Sequence, residues 1–139
     1  IHTNNERRNH GLSELSWDEG LTSIARSHSL DMVENDFFSH INLKGKDPTA
    51  RAVKGGHPIQ KDFGSWYVIG IAENIGSMPT GSVLGFGYVS SDSESIAKAH
   101  VQSWMTSQGH RENILGDYEV LGVGVAYDGV YYVATQNFF

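Results

Sequence analysis

The sequence predicts a single α+β domain, residues 1–139, in which helices pack over a small antiparallel sheet. Three observations carry this prediction. Two serine-led capping signals each precede a stretch with apolar residues every three to four positions, the mark of a half-buried helix. A β-branched and aromatic run, Trp66 to Ile75, lies between them. Two further apolar runs close the chain around Asp128-Gly129, a two-residue hairpin signal.

Taken in order, Thr3 to Gly11 is short, polar and ends in glycine, the pattern of a brief helix with a left-handed stop. Ser16-Trp17-Asp18-Glu19 reads as a capping box in which Ser16 and Glu19 satisfy each other's backbone donors. Leu21, Ile24, Ala25, Met32 and Val33 then line one face of a second helix that ends near Asn35, with His28 among them. Asp47-Pro48 opens a short third helix closed by Gly55-Gly56. Gly56 to Gly64 lacks periodicity and reads as a loop, followed by one strand over Trp66 to Ile75 with Glu73 near its end. Met78 to Ser91, rich in Gly and Ser, reads as a second loop. Ser91-Asp92-Ser93-Glu94 then starts a fourth helix carrying Ile96, His100, Val101 and Trp104 and ending near Gly109. Val120 to Tyr127 and Val130 to Phe139 form the closing hairpin, and Gly122 and Gly124 allow close packing against it.

Composition narrows the function classes. Ten basic against sixteen acidic residues give a net charge of −6, which disfavours binding to a phosphate backbone or an anionic membrane. The absence of cysteine removes disulfides, thiolate chemistry and Cys-ligated zinc, leaving seven histidines and the carboxylates for any metal or general-base role. No apolar run approaches the roughly 18 residues that cross a bilayer, and Ile1 to Arg8 is polar rather than the apolar centre of a leader.

Three clusters set an ionisable group beside apolar anchors: Phe37-Phe38-Ser39-His40, Ala72-Glu73-Asn74-Ile75, and Trp104 to Leu115 with Ser107, His110, Arg111 and Asn113. These clusters in this order, with the Asn9, Leu15, Trp17, Leu21 opening and the closing Tyr127 to Phe139 hairpin, resemble the cysteine-free bacterial and archaeal type of CAP domain. The name covers cysteine-rich secretory, antigen 5 and pathogenesis-related proteins, also called SCP-like. The resemblance spans most of the chain. It implies an α-β-α sandwich, an extracellular or cell-surface location, and a polar cleft in which His40 and His110 hold a divalent metal, Zn2+ among the candidates. By the same resemblance Glu73 orients the site and holds a metal-bound water. Animal and plant members usually carry a second acid three residues after the Trp of this helix, where this chain has Ser107, so a bound cation sees one anion fewer.

Two imidazoles with water make an open, labile zinc site, since catalytic zinc usually has three protein ligands. Glu73 then accepts a ring N–H and fixes the tautomer, a role it fills more readily than direct ligation. Asn74, Ser107, Arg111 and Asn113 are supporting residues that tie loops to backbone groups near the cleft. His28 and His100, on apolar helical faces, are expected to be hydrogen-bonded core histidines, and His2, His10 and His57 lie in polar or loop settings. Two functions compete. One is a binding module whose cleft and loops engage an extracellular protein, lipid or polymer, with no nucleic acid partner. The other is a zinc-dependent hydrolase in which Glu73 takes a proton from a metal-activated water. The missing acid and the missing third ligand favour binding. Serine chemistry at Ser39 or Ser107 lacks a nucleophile elbow.

Overall fold

The computed structural model describes residues 1–139. Five helices, α1 (His2–Asn9), α2 (Glu19–Glu34), α3 (Pro48–Lys54), α4 (Ser93–Met105) and α5 (Gln108–Ile114), alternate with eight strands. Strands β1 (Ser16–Trp17), β7 (Val120–Tyr127), β8 (Tyr131–Phe138) and β4 (Ala72–Pro79) form the central sheet in the order β1-β7-β8-β4, antiparallel except where β1 joins β7. Two small hairpins stand apart from it: β2 (Gln60–Asp62) with β3 (Tyr67–Ile69), and β5 (Gly81–Val83) with β6 (Gly87–Val89). The architecture is the expected α+β sandwich. Helix α2 covers one face of the sheet, and α4 and α5 meet β4 on the other, with α1 packed on both of them.

Because strand side chains alternate between faces, the register sorts the core. Met32 of α2 packs with Ile75 and Val133 on one side. On the other, Leu15, Val101, Trp104, Ile114, Leu121, Ala134 and Phe138 form the largest apolar cluster. Helix α2 lies so close to β7 that a Cβ at Gly124 would stand 2.1 Å from the Arg26 backbone nitrogen, and one at Gly122 would stand 2.3 Å from the Leu21 carbonyl carbon. Only glycine admits that approach. Strand β4 is the open edge of the sheet, and two of its carbonyls are taken by side chains: Asn113 Nδ2 donates to Glu73 O at 3.1 Å and Trp104 Nε1 to Ile75 O at 2.9 Å.

Several elements depart from the sequence reading. The cap of α2 is Asp18, whose Oδ1 accepts from Leu21 N at 2.7 Å, and that of α4 is Asp92, accepting from Ser95 N at 2.9 Å. A carboxylate meets the positive helix end better than the serine of either predicted box, and Ser16 is instead drawn into β1 opposite Val120. The run Trp66 to Ile75 is two strands, because Gly70 at φ 128° turns the chain between β3 and β4. Both segments read as loops contain short strands: Phe63 stacks on Trp66 at the turn of β2-β3, and β5-β6 occupies the glycine-rich stretch. Helix α4 ends at Met105, and Ser107 starts the separate helix α5, so His110 lies inside a helix near its start rather than at a helix end.

Candidate functional site

The site straddles the β4 edge near its N-terminal end. Adjacent residues on that strand point to opposite faces, Glu73 towards α2 and α3, Asn74 towards α5. Glu73 is 7% exposed and its carboxylate is a hub. His40, in the loop after α2, meets Oε1 through Nδ1 at 2.9 Å. Arg51 of α3 donates from Nη2 to Oε2, and Asn137, opposite Glu73 in the sheet, donates to the same oxygen from Nδ2 at 2.9 Å. His28 Nε2 stands 3.9 Å from Oε1. Burial alone would push the Glu73 carboxyl up, but the His40 bond, the Arg51 charge and the Asn137 and Arg51 hydrogen bonds outweigh it and hold the group below its ordinary value. Glu73 is therefore ionised. The bond to the carboxylate is made through His40 Nδ1, which leaves Nε2 outside it, on a side chain that is 49% exposed.

On the other face the groups are neutral amides. Asn74, fully buried, donates to His110 O at 3.1 Å and to Gln136 Oε1 at 3.2 Å, and accepts from Asn113 Nδ2 at 2.9 Å. Gln136 continues the chain to Thr3 Oγ1 at 2.8 Å. This network fixes the His110 backbone. The imidazole itself has a lowered pKa, first through burial and then through the charge of His40.

His40 and Asn113 thus meet Glu73, while Asn113 and the His110 backbone meet Asn74. Ser107 and Arg111 do not join them: the Ser107 hydroxyl caps no backbone donor, and exposed Arg111 reaches only Met105 O at 3.3 Å. The two histidines set aside as core residues are buried, His28 at 1% and His100 at 3%, but neither is fully hydrogen-bonded. His28 Nε2 meets Ser39 O at 2.9 Å while its Nδ1 has no partner, and His100 Nε2 is likewise unpartnered. Arg51 and Asn137 were missed altogether. For Asn137 a signal existed, since Gln136-Asn137 interrupts an otherwise apolar closing strand. A lone arginine in a seven-residue helix carries none.

The donor set does not fit a resident catalytic zinc. No three His, Cys, Asp or Glu side chains are grouped to ligate a metal. Both Glu73 oxygens are already bound to protein donors, leaving two imidazoles where catalytic zinc usually finds three protein ligands.

The profile of the cysteine-rich secretory protein family (CAP) matches residues 2–138. The chain belongs to the CAP family. Its domain is 35% identical, over 98% of its length, to part of a Bacillus subtilis protein named "uncharacterized membrane protein YlbC", and covers 32% of that protein. Among solved structures it matches an extracellular protein containing an SCP domain from Bacillus anthracis at TM-score 0.72 and 32% identity, over 99% of this chain and 37% of the other. An outer surface protein from Borrelia burgdorferi shares the fold at TM-score 0.68 and 17% identity, over 98% of this chain and 85% of that one. The chain spans less than half the length of the curated relatives it matches. In this CAP domain no helix is long and apolar enough to cross a membrane.

Proposed function

We propose that this CAP domain is an extracellular recognition module whose cleft, bounded by His40 and His110 at the β4 edge, binds a partner by side-chain contact. The observation that carries this reading is the saturation of Glu73. A general base needs a free lone pair aimed at its proton and a pKa near the working pH. Glu73 has its oxygens engaged by His40, Arg51 and Asn137 and a pKa held below the usual range. It orients His40 instead, which leaves two half-exposed imidazoles presented on a stiff frame. An extracellular setting is supported by the names of the structural relatives, one extracellular and one from an outer surface, beside a curated relative named as a membrane protein.

A divalent cation, zinc included, is proposed to enter this cleft as an exchangeable ligand of the His40 and His110 imidazoles. Calorimetric zinc titration of metal-stripped protein tests both parts. The expected result is weak binding, lost in His40→Ala and in His110→Ala, with no zinc-dependent turnover of fluorogenic peptides. Affinity falls as the pH drops below the imidazole range, about 6.5, where protons compete for the ring nitrogens. Tight stoichiometric zinc with turnover that both variants abolish would overturn the recognition reading in favour of a hydrolase.

A further inference from the structure

Two hairpins flank β4 in the chain, β2-β3 before it and β5-β6 after it, and the first exposes an unbroken apolar surface. Phe63, Trp66, Tyr67, Val68 and Ile69 are all 45–61% exposed. They fall within ten consecutive residues, 63–72, that carry no charge, in a chain whose net charge is −6. Exposed apolar residues scattered singly need no explanation, but a cluster of this density does.

The register shows that these side chains do not share one face. Lys61 pairs with Val68 and Asp62 with Tyr67, so Trp66 and Val68 point one way and Tyr67 and Ile69 the other. Phe63 joins the first group: its N–H donates to Trp66 O at 2.8 Å, and its ring stacks on the indole with centroids 4.3 Å apart, across a turn that Gly64 makes at φ 82°. The foot of the hairpin is anchored to the domain, with Lys61 Nζ 4.8 Å from the Phe139 ring centroid and 3.7 Å from Glu119, and Gly70 N donating to Ile59 O at 2.8 Å. Its tip and both sides of β3 are bare. A protein or glycan laid on such a ribbon covers one face and leaves the other in water, where the usual alternation puts polar residues. A strand apolar on both faces fits a medium that surrounds it. A lipid interface is such a medium: it takes aromatic rings at headgroup level, needs no particular hydrogen-bond partner and penalises charge. The unpaired outer edges of β2 and β3 limit the depth, because backbone groups without partners are costly in hydrocarbon.

We propose that the β2-β3 hairpin docks this domain on a bilayer of neutral, zwitterionic lipid, with Phe63, Trp66 and the side chains of β3 entering the headgroup boundary. This surface uses none of the residues of the candidate site. The test is co-sedimentation of the intact domain with phosphatidylcholine vesicles. Wild type is expected to bind, and Phe63→Ser/Trp66→Ser on one face and Tyr67→Ser/Ile69→Ser on the other each to lower the partition coefficient at least tenfold. Leu84→Ser, at an exposed apolar residue of the other hairpin, leaves it unchanged. A second readout needs no change in the hairpin: in Trp17→Phe protein, whose only other indole, Trp104, is buried, brominated phosphatidylcholine quenches the Trp66 fluorescence. Absence of binding, unquenched Trp66, an equal loss in Leu84→Ser, or tighter binding when phosphatidylglycerol is added would each overturn the proposal. So would a loss confined to one pair, the mark of a one-sided protein or glycan contact, or a dimer in vesicle-free solution that either pair abolishes.

Discussion

The two faces of β4 are both polar where they are most deeply buried, but they are polar in different ways. On the α2 side Glu73 gathers His40, Arg51 and Asn137, so that face holds charge. On the α5 side Asn74, Gln136, Asn113 and Thr3 hold one another through neutral amides and a hydroxyl. An amide network fixes geometry without responding to acid, because none of its members titrates. A charge hub fixes geometry only while every partner keeps its protonation state. The candidate site lies on the line between the two, with His40 oriented by the charged face and the His110 backbone by the neutral one.

That contrast predicts a graded set of effects. The largest falls on the hub: Glu73→Ala strands Arg51 as an uncompensated buried charge, and urea unfolding is expected to show a loss of about 3–5 kcal/mol. Glu73→Gln is expected to be costly as well. A loss below about 1 kcal/mol in either variant would mean that the hub is not a coupled unit. Next comes acid. His100, on the amide side, is pushed down to about 4 by burial, partly offset by a backbone bond to Tyr132. The unfolded chain binds that proton near 6.5 and the folded one near 4, so the stability His100 contributes is intact above about 6.5 and is lost as the pH falls to about 4, up to about 3 kcal/mol. His28, lowered by burial and by Arg51, acts in the same direction. Glu73, whose folded value is depressed, adds a second loss that begins only below its ordinary 4.5. Unfolding measured from pH 7 to 4 in wild type and His100→Gln separates the two steps, and an unchanged slope in the variant would sink the first.

Smaller effects follow on the neutral face. Asn74→Ala removes the shared partner of His110 O, Gln136 and Asn113 and is expected to cost about 1–3 kcal/mol by urea unfolding. Its zinc affinity should fall with it, because the His110 backbone loses its anchor. Smallest of all, His110→Ala should change stability by less than about 0.5 kcal/mol, since its ring makes no protein hydrogen bond, while removing its share of zinc binding. A stability loss in His110→Ala as large as that of Asn74→Ala would erase the distinction between frame and presented group.

The legible parts of the sequence were those written in local chemistry. The apolar spacing of Leu21, Ile24, Ala25 and Met32 marks α2, and Asp128-Gly129 marks the hairpin, because each feature is decided by neighbours in the chain. The close approach at Gly122 and Gly124 was also readable, as glycines within a strand. Resemblance supplied the juxtaposition of His40, Glu73 and His110, which no spacing encodes. What escaped was long-range: Arg51 meets Glu73 across 22 residues and Asn137 meets it across 64, so neither pairing leaves a periodic trace. The caps were misplaced for a local reason, the competition between Ser16 and Asp18 for one helix start, which β1 pairing settles from the far end of the chain by holding Ser16 opposite Val120.

The side chains laid over the outer carbonyls of β4 have a consequence for company. An incoming strand seeking to extend the sheet there meets the Asn113 amide and the Trp104 indole already seated on the carbonyls it would need, and at the opposite margin β1 offers only two residues. The β4 margin is thereby closed to backbone pairing at Glu73 and Ile75. A strand arriving at this stretch of β4 has to displace two seated side chains before it can pair, so the edge beside the candidate site favours contact through side chains over extension of the sheet.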